Sequence, residues 1–434
     1  MGENLVLEAT RLVAQLSIIL IAAKLGAELC VRFLKQPAVL GELLAGVFLS
    51  PFLFGRAIPF LEGQKLFPLS ADPTNIPIST TLFAIAQIGA VVLLFVAGLE
   101  TNLKQFLKYA WAAILIAIGG IVLPFFLGAY ITVLFGLANH LHDATALFVG
   151  SILTATSVGI TARVLDDLKK LDSPEGVTIL GAAIVDDVLG ILVLSIVIAV
   201  SYSQAKGGHI DLPEIGIIGL RAIGFWIGLI VVGVIAAPHL ERLILRFKTR
   251  GSKIPLALAI CFIASFLAEG AGLAMIIGAY AIGLALSSRP IAKELIESIQ
   301  PLFHFLVPIF FVVTGMMVNL LDVGSLPLFA LVLTIAAIAS KWLGCFLPAW
   351  GCGFSKLGAS RIGVGMIPRG EIALIIAQVG IAKGLIDTSI YGTAIIIALA
   401  TTLVAPIWMA SIFKNNDSGL RRKHEKQLPR PIST

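Results

Sequence analysis

The chain has 434 residues, of which 58% are hydrophobic and 13% are charged, and its formal net charge is +6. Average soluble domains carry about 25% charged residues, so this composition excludes a soluble globular protein and indicates a chain that lies in a lipid bilayer. The four cysteines do not have the spacing of a zinc site, and we find no phosphate-binding loop or zinc-protease motif. We therefore expect no cofactor, no nucleic-acid partner and no enzyme activity.

Apolar runs of membrane-spanning length follow one another along the chain. The first is expected to be a retained span and not a secretory signal, because Glu3 and Glu8 precede it and no basic cluster does. The boundary between the eighth and ninth runs is the least defined, since both are short. Thirteen runs are predicted, at 10–33, 37–55, 79–99, 109–136, 143–165, 176–201, 214–238, 254–269, 271–288, 301–320, 326–350, 359–383 and 388–412.

The distribution of basic residues orients the predicted spans. If the basic C-terminal tail is cytoplasmic, most of the other Lys and Arg residues in the joints fall on the same side. Cytoplasmic loops are enriched in Lys and Arg, so an odd number of spans places the N-terminus outside and the C-terminus in the cytoplasm. The tail end, 427–434, is expected to be disordered. The opposite joints hold only Arg11, Arg56, Lys65, Lys206 and Lys383.

Two adjacent carboxylates, Asp186 and Asp187, interrupt the otherwise apolar sixth run. A carboxylate at the bilayer centre costs roughly 2.5–3.5 kcal/mol on insertion scales, so such a residue needs a partner, water or a bound cation. Neighbouring helical residues point about 100° apart, so the two side chains face different neighbours. The pair predicts a site for a cation and protons. A pair that only stabilises a helix bundle through salt bridges is the alternative.

One lysine, Lys341, lies deep in the eleventh run, well away from either end. Its ammonium group cannot reach the interface and therefore needs a carboxylate partner within the membrane. Lys24 and Arg163 lie nearer the ends of their runs and can extend toward the interface. Arg221 and Arg369 are the other basic residues at or near membrane depth.

Two further runs contain helix-breaking residues. The fifth, SILTATSVGITARVL, gathers hydroxyl side chains around Gly159, and the twelfth places Pro368 and Gly370 beside Arg369 and Glu371. Paired interruptions in two halves of a chain indicate a transporter's binding site. The fifth and twelfth runs are seven apart, which maps runs 1–6 onto 8–13 in inverted orientation. No residue-level repeat is detected, and ordinary kinked helices are the alternative.

These motifs resemble those of monovalent cation:proton antiporters, in particular the NapA-type branch and its cyanobacterial relatives. The resemblance extends over nearly all thirteen predicted spans, to about Phe413. The most specific features are the paired aspartates and the lysine of SKWLG. The resemblance is carried by QPAVLGELLAGVFLSP (36–51), LLFVAGLE (93–100), TATSVGITARVL (154–165), LGAAIVDDVLG (180–190), FFVVTGMMVNL (310–320), SKWLG (340–344) and PRGEIALIIAQVG (368–380).

The resemblance implies an all-α polytopic membrane protein of about thirteen transmembrane helices, with inverted repeats and two broken, crossing helices (the NhaA/NapA-like fold). It also implies a homodimer in a prokaryotic cell membrane, or in a thylakoid membrane if the source is cyanobacterial. The implied parts are a dimerisation domain from 1–108 and 254–325, a core ion-transport domain from 109–201 and 326–413, a linker helix in 202–253 and a cytoplasmic tail, 414–434.

Residue roles also follow from the resemblance. Asp187 matches the residue that binds Na⁺ and H⁺ in turn, and Asp186 matches the residue that pairs with the core lysine, here Lys341. Thr156 matches a polar position where hydroxyl and backbone oxygens complete the shell of the cation. Ser157 departs from relatives that have a carboxylate there.

That departure leaves the ends of the half-helices without one expected negative charge. The resemblance then implies that Glu371 and Lys341 neutralise the crossing, with Arg369 as a further charged residue of the core. The role of Glu371 stays open.

The implied activity is secondary active exchange of Na⁺ or Li⁺ for H⁺, electrogenic, with both ions competing at the aspartates and with access alternating between the two sides. The first alternative is a K⁺/H⁺ antiporter or a Kef-like K⁺ efflux system. Kef systems typically carry glutamine in place of the first aspartate, together with a long cytosolic domain. A channel is disfavoured because no selectivity filter or hydrophobic gate is identifiable.

Overall fold

The computed structural model describes residues 2–69, 78–206, 212–247, 249, 251–317, 326–382, 384–414 and 419–421. Within them the chain is helical, and its only β pairing is two isolated bridges. A π-helical turn, Cys30–Leu34, continues the first helix. The α-helices are α1 Gly2–Leu29, α2 Ala38–Leu49, α3 Thr80–Glu100, α4 Leu103–Leu134, α5 Ala144–Thr154, α6 Val158–Asp167, α7 Pro174–Lys206, α8 Leu212–Arg246, α9 Lys253–Gly270, α10 Met275–Ser287, α11 Ile291–Met316, α12 Pro327–Gly351, α13 Lys356–Gly365, α14 Glu371–Ala382 and α15 Thr388–Ile412.

Every one of the thirteen predicted spans contains helix. By length and composition, ten stretches of the described residues can cross a membrane, and α2 and α10 are shorter apolar helices. The remaining predicted span, the twelfth, is divided between α13 and α14. The all-α polytopic membrane fold predicted from the sequence is thus confirmed.

Several helices extend beyond the apolar runs that predicted them. The largest extension is in α11, which begins at Ile291 and not at 301. In its first turns Ile291, Leu295 and Ile299 are buried, whereas Lys293 and Glu294 are exposed. A hydropathy run ends at such charged residues, but an amphipathic helix continues through them because only one face is buried.

The helices pack in two groups. The first, which we call the scaffold group, comprises α1–α3 and α8–α11; within it α3 packs on α10 and α11, and α2 on α1 and α11. The second, the core group, comprises α4–α7 and α12–α15; within it α4 packs on α5, α7 and α12, and α15 on α12 and α14. Contacts between the groups are made mainly by α6 against α2 and α3, and by α7 against α8.

Glycines let helices of the scaffold group approach closely in two equivalent places. A Cβ atom at Gly98 of α3 would lie 2.5 Å from a carbonyl oxygen of α10, and one at Gly283 of α10 would lie 2.3 Å from a carbonyl oxygen of α3. The same reciprocal arrangement joins Gly46 of α2 to Gly315 of α11, with distances of 2.0 and 2.3 Å. In all four cases the close carbonyl belongs to the residue three positions before the partner glycine.

This shared register relates α2 to α10 and α3 to α11, which are the second and ninth, and the third and tenth, predicted spans. Under the predicted inverted mapping, which relates these spans in that order, the two glycine contacts exchange places. The sequence alone does not single out these contacts, because each involves one glycine per helix within a run of other apolar residues.

A short part of the tail returns to the core group. The Gly419 carbonyl accepts a hydrogen bond of 2.8 Å from the Ser355 amide, and the Arg421 amide donates to the Gly353 carbonyl at 3.1 Å. Leu420 between them is buried. Residues 427–434, for which the sequence predicts disorder, lie outside the part of the chain that the structure describes.

Candidate functional site

The aspartate pair lies in the middle of α7, surrounded by the core group. Asp186 and Asp187 are 1% and 2% exposed, although they are carboxylates, and their neighbours Ile184 and Val188 are equally buried. The helix is continuous through them, so their backbone groups are engaged within the helix. Only the side chains are available to bind an ion.

Lys341 of α12 pairs with the first aspartate. Its Nζ atom donates to Asp186 Oδ1 at 2.8 Å and to the Thr154 carbonyl at 2.6 Å, and the lysine side chain is fully buried. The lysine thus has the carboxylate partner that its depth required. Space for it comes from Gly120 of α4, where a Cβ atom would lie 3.4 Å from the lysine Nζ atom.

The first interruption separates α5 from α6 at residues 155–157. Ser157 caps α6, because its side chain accepts from the Ile160 amide at 3.5 Å. The expected break at Gly159 is therefore displaced: Gly159 lies inside α6. A Cβ atom there would be 3.2 Å from the Phe310 ring, so the glycine allows α6 to pack on α11.

The second interruption separates α13 from α14 at residues 366–370, which include Pro368 and Gly370. The two interrupted segments cross and bond directly, since the Ser157 amide donates to the Pro368 carbonyl at 2.8 Å. Gly370 is needed for this approach, because a Cβ atom on it would lie 2.6 Å from the Ser157 hydroxyl.

Two threonine hydroxyls reinforce the crossing. Thr161 donates to the Gly365 carbonyl at 2.7 Å, and Thr156 donates to the Met366 carbonyl at 3.3 Å. The Thr156 side chain also faces the Asp186 carboxylate. Hydroxyl, carbonyl and carboxylate oxygens therefore converge where the interrupted segments meet α7, and these are the ligands that a hard monovalent cation prefers.

Arg369 neutralises the end of α5. The side chain is fully buried, and it donates to the Ala155 carbonyl, to the Thr154 carbonyl at 3.3 Å and to the Ala337 carbonyl of α12 at 3.3 Å. The C-terminal carbonyls of a helix carry partial negative charge, so a guanidinium group there is favourable. The neutralising role expected of Glu371 thus has an alternative in Arg369; the Glu371 side chain is outside the described residues.

The site holds few ligands of the kind that bind transition metals. Within the described residues, no group of three or more His, Cys, Asp or Glu side chains is placed to hold a metal ion. The aspartate pair is accompanied instead by hydroxyls, backbone carbonyls and the cations of Lys341 and Arg369.

Arg163, expected near the end of its run, is buried in the protein in the C-terminal half of α6, with its Nε atom 3.3 Å from Asp167 Oδ1. Sequence reasoning missed two residues that support the site. Thr401 and Thr402 of α15 bond to the backbone of Arg369, at 3.2 and 2.7 Å. Their adjacent hydroxyls in an apolar span were a visible signal, but threonine is common in membrane helices and its partner cannot be read from sequence.

Comparison with known proteins shows that the chain is similar to cation/proton antiporters. The profile of the family described as "Sodium/hydrogen exchanger, transmembrane" matches residues 17–415. The chain is 36% identical to the high-affinity Na⁺/H⁺ antiporter NhaS3 of Synechocystis sp., over 96% of this chain and 92% of the relative. It is 32% identical to the Na⁺/H⁺-K⁺ antiporter GerN of Bacillus cereus, over 94% of this chain and 97% of the relative.

The fold is similar to that of a solved structure, the sodium proton antiporter MjNhaP1 from Methanocaldococcus jannaschii. The TM-score is 0.70 at 21% sequence identity, and the match covers 92% of this chain and 95% of the other. At this identity the likeness concerns the fold alone.

Proposed function

The chain belongs to the sodium/hydrogen exchanger family, and on that premise we propose that it is a secondary active antiporter that exchanges Na⁺ for H⁺ across a membrane. The observation that carries the proposal is the pair Asp186–Asp187, buried at mid-helix beside two crossing interruptions. Aspartates so deep in the membrane mark an ion pathway by default. The relatives named as Na⁺/H⁺ antiporters support sodium as the cation.

In the proposed mechanism, Asp187 binds the cation and the proton in turn. A carboxylate isolated from water must be neutralised, either by a proton or by a cation. Since both ligands neutralise the same charge, binding of one displaces the other. Exchange then requires only that the neutralised site be exposed alternately to the two sides.

Thr156 and the backbone carbonyls of the interruptions are proposed to complete the cation's ligands. The Thr156 hydroxyl faces Asp186 and lies at the crossing, next to the helix that carries Asp187. Asp186 itself is engaged by Lys341, so it is proposed to respond to the cation through that pair and not to hold it alone.

The core group is proposed to move against the scaffold group as the transport domain. Direct bonding between the two interrupted segments supports movement of the core as one body. The scaffold group is proposed to form a homodimer, with the N-terminus outside and the C-terminus in the cytoplasm of a prokaryotic cell or facing the equivalent side of a thylakoid.

Potassium is the second candidate cation, and the named Na⁺/H⁺-K⁺ relative favours it. Both ions take the same oxygen ligands, so the charged side chains that the structure describes near the aspartates do not distinguish them. Transport assays with each cation therefore determine the selectivity between Na⁺ and K⁺. Lithium, smaller than sodium with the same charge, belongs in the same comparison.

Proteoliposomes containing the purified chain and a pH-sensitive dye test the proposal. Addition of Na⁺ or Li⁺ to vesicles with an acidic interior should move protons outward, and K⁺ should do so only if it is a substrate. Protein-free vesicles are the control. If no monovalent cation moves protons in any pH gradient, the proposed function is wrong.

A further inference from the structure

Two threonines of α15 hold the backbone of the second interruption from both sides. The Arg369 amide donates to the Thr401 hydroxyl at 3.2 Å, and the Thr402 hydroxyl donates to the Arg369 carbonyl at 2.7 Å. Both threonines are buried. Because Arg369 lies outside any helix, its amide and carbonyl have no helical partners, and buried backbone groups are rarely left without one.

The polarity of these bonds is determined by the helix itself. Thr401 also donates to the Ile397 carbonyl at 2.7 Å, so its hydroxyl proton is already used and its oxygen is free to accept from Arg369. Thr402 uses its own proton for the Arg369 carbonyl. The two hydroxyls therefore play opposite parts, an acceptor at 401 and a donor at 402.

Fixing the Arg369 backbone also fixes its side chain. The guanidinium group and Lys341 Nζ both donate to the Thr154 carbonyl, at 3.3 and 2.6 Å, and the lysine in turn pairs with Asp186. A displaced Arg369 would leave the lysine as the main neutralising cation at the end of α5. The pull of Lys341 on Asp186 would then change.

The predicted inverted mapping of the spans places the threonines opposite the aspartates. In the predicted inverted mapping, the sixth span corresponds to the thirteenth and the fifth to the twelfth. The span with the adjacent pair Asp186–Asp187 thus maps onto the span with the adjacent pair Thr401–Thr402, and each pair lies against the interrupted segment of its own half. One half carries carboxylates, which are proposed to bind the ion, and the other carries hydroxyls that bond to the backbone.

We propose that Thr401 and Thr402 are positioning residues for exchange: they hold Arg369 in the place that lets Lys341 and Asp186 pair, and so determine how tightly the aspartate site binds its cation. This inference rests on the proposed antiport function for its transport readout. Its structural part concerns only the backbone of residues 366–370.

The transport test compares Thr402→Val, which removes the hydroxyl at nearly constant volume, with Thr402→Ser, which retains it. The matched control is Thr393→Val, because the Thr393 hydroxyl lies in the same helix and bonds to the Ser389 carbonyl at 2.9 Å. We expect Thr402→Val to raise the KM for Na⁺ by about tenfold, as for loss of a buried hydrogen bond, with a smaller effect on the maximal rate. Thr402→Ser and Thr393→Val should stay within about twofold of the unaltered chain.

A second measurement does not depend on transport. Hydrogen exchange read by mass spectrometry should show faster exchange of the Arg369 amide in Thr401→Val than in Thr401→Ser or Thr393→Val. This result can be obtained even if the unaltered chain moves no sodium, so failure of the function and failure of the positioning role are distinguishable.

Two outcomes would overturn the proposal. One is unchanged KM for Na⁺ in Thr402→Val together with unchanged exchange of the Arg369 amide in Thr401→Val. The other is an equal loss of transport in Thr402→Val and Thr402→Ser with equal loss of thermal stability, which would mean that the position matters only for packing.

Discussion

Lys341 donates hydrogen bonds to two acceptors, the Asp186 carboxylate and a carbonyl at the C-terminal end of α5, which carries partial negative charge. Its Nζ atom lies 2.8 Å from the carboxylate and 2.6 Å from the Thr154 carbonyl. Asp187, the next residue, is equally buried but points elsewhere because neighbouring helical side chains diverge by about 100°. The two aspartates therefore have unequal environments, and we predict unequal roles for them.

The first prediction is that Asp187→Asn abolishes sodium-driven proton movement while Asp186→Asn leaves slower exchange. An amide cannot be protonated or offer a net negative charge to a cation, so the loss should be complete at the exchanging residue. The measurement is dye dequenching in proteoliposomes with matched protein content. Ser195→Ala is the control, because the Ser195 hydroxyl donates to a backbone carbonyl of the same helix, α7, at 2.8 Å. Robust exchange by Asp187→Asn would refute the assignment.

The second prediction concerns the buried ion pair. Removing one partner of such a pair typically costs 3–5 kcal/mol, because the other charge is left buried. Thermal unfolding of Asp186→Asn, Lys341→Gln and the double variant should show clear coupling. Coupling should fall short of the whole effect of Lys341→Gln, since the lysine also donates to Thr154. Additive single effects would contradict the contact.

At the scale of helices, glycines permit close approach between several pairs of spans. Within the core group, α4 and α12 meet at Gly119 and Gly344, where a Cβ atom on either would lie 2.2 or 2.4 Å from the other's carbonyl oxygen. Membrane helices associate through such small residues, because backbones that approach closely gain van der Waals contact. Glycines join α3 to α10 and α2 to α11 in the same way within the scaffold group.

The third prediction is that Gly98→Ala and Gly283→Ala each destabilise the protein. The added methyl would lie 2.5 or 2.3 Å from a backbone carbonyl oxygen, so α3 and α10 must move apart. Overpacking of this kind typically costs about 1–3 kcal/mol. Thermal unfolding in detergent measures it, with Gly224→Ala as the control, since nothing lies within 4 Å of a Cβ atom there. An unchanged melting temperature in all three variants would disprove close packing.

At the scale of the whole molecule, two groups of helices meet along a limited boundary. α6 of the core group contacts both α2 and α3 of the scaffold group, while α7 contacts α8. α6 is also one of the two half-helices at the crossing, bonded to the other through Ser157 and Pro368. The proposed movement at this boundary would therefore be transmitted through α6 to the crossing beside the aspartates.

The fourth prediction is that exchange is electrogenic, with two protons moved for each cation. One proton is assigned to Asp187 and the other to Asp186 or to Lys341 when their pair separates. One net charge per cycle is worth about 2.3 kcal/mol per 100 mV, so an imposed membrane potential should change the rate and the end point of proton movement.

A potassium–valinomycin clamp at fixed sodium gradient measures this effect. Protein-free vesicles and vesicles given potassium without sodium are the controls, and Asp186→Asn should respond less to the potential. Proton movement that is indifferent to potentials of both signs would show electroneutral exchange and overturn the role of Asp186.

The sequence by itself determined the spans, the class of fold and the central charges. Hydropathy is a local property, and the bilayer requires about twenty apolar residues per helix, so thirteen runs were readable without neighbours. Asp186, Asp187 and Lys341 were conspicuous because charge in an apolar run is costly and demands a partner.

Only the tertiary structure decided which groups meet. The first interruption lies at 155–157 and not at Gly159. In a sequence, a glycine can indicate either a break in a helix or a close approach of another element. At Gly159 the Phe310 ring lies close by, so this glycine permits a close approach. Thr401 and Thr402 matter through the Arg369 backbone, and Arg369 through carbonyls of α5 and α12. Such contacts join residues far apart in the chain, and neither composition nor spacing carries that information.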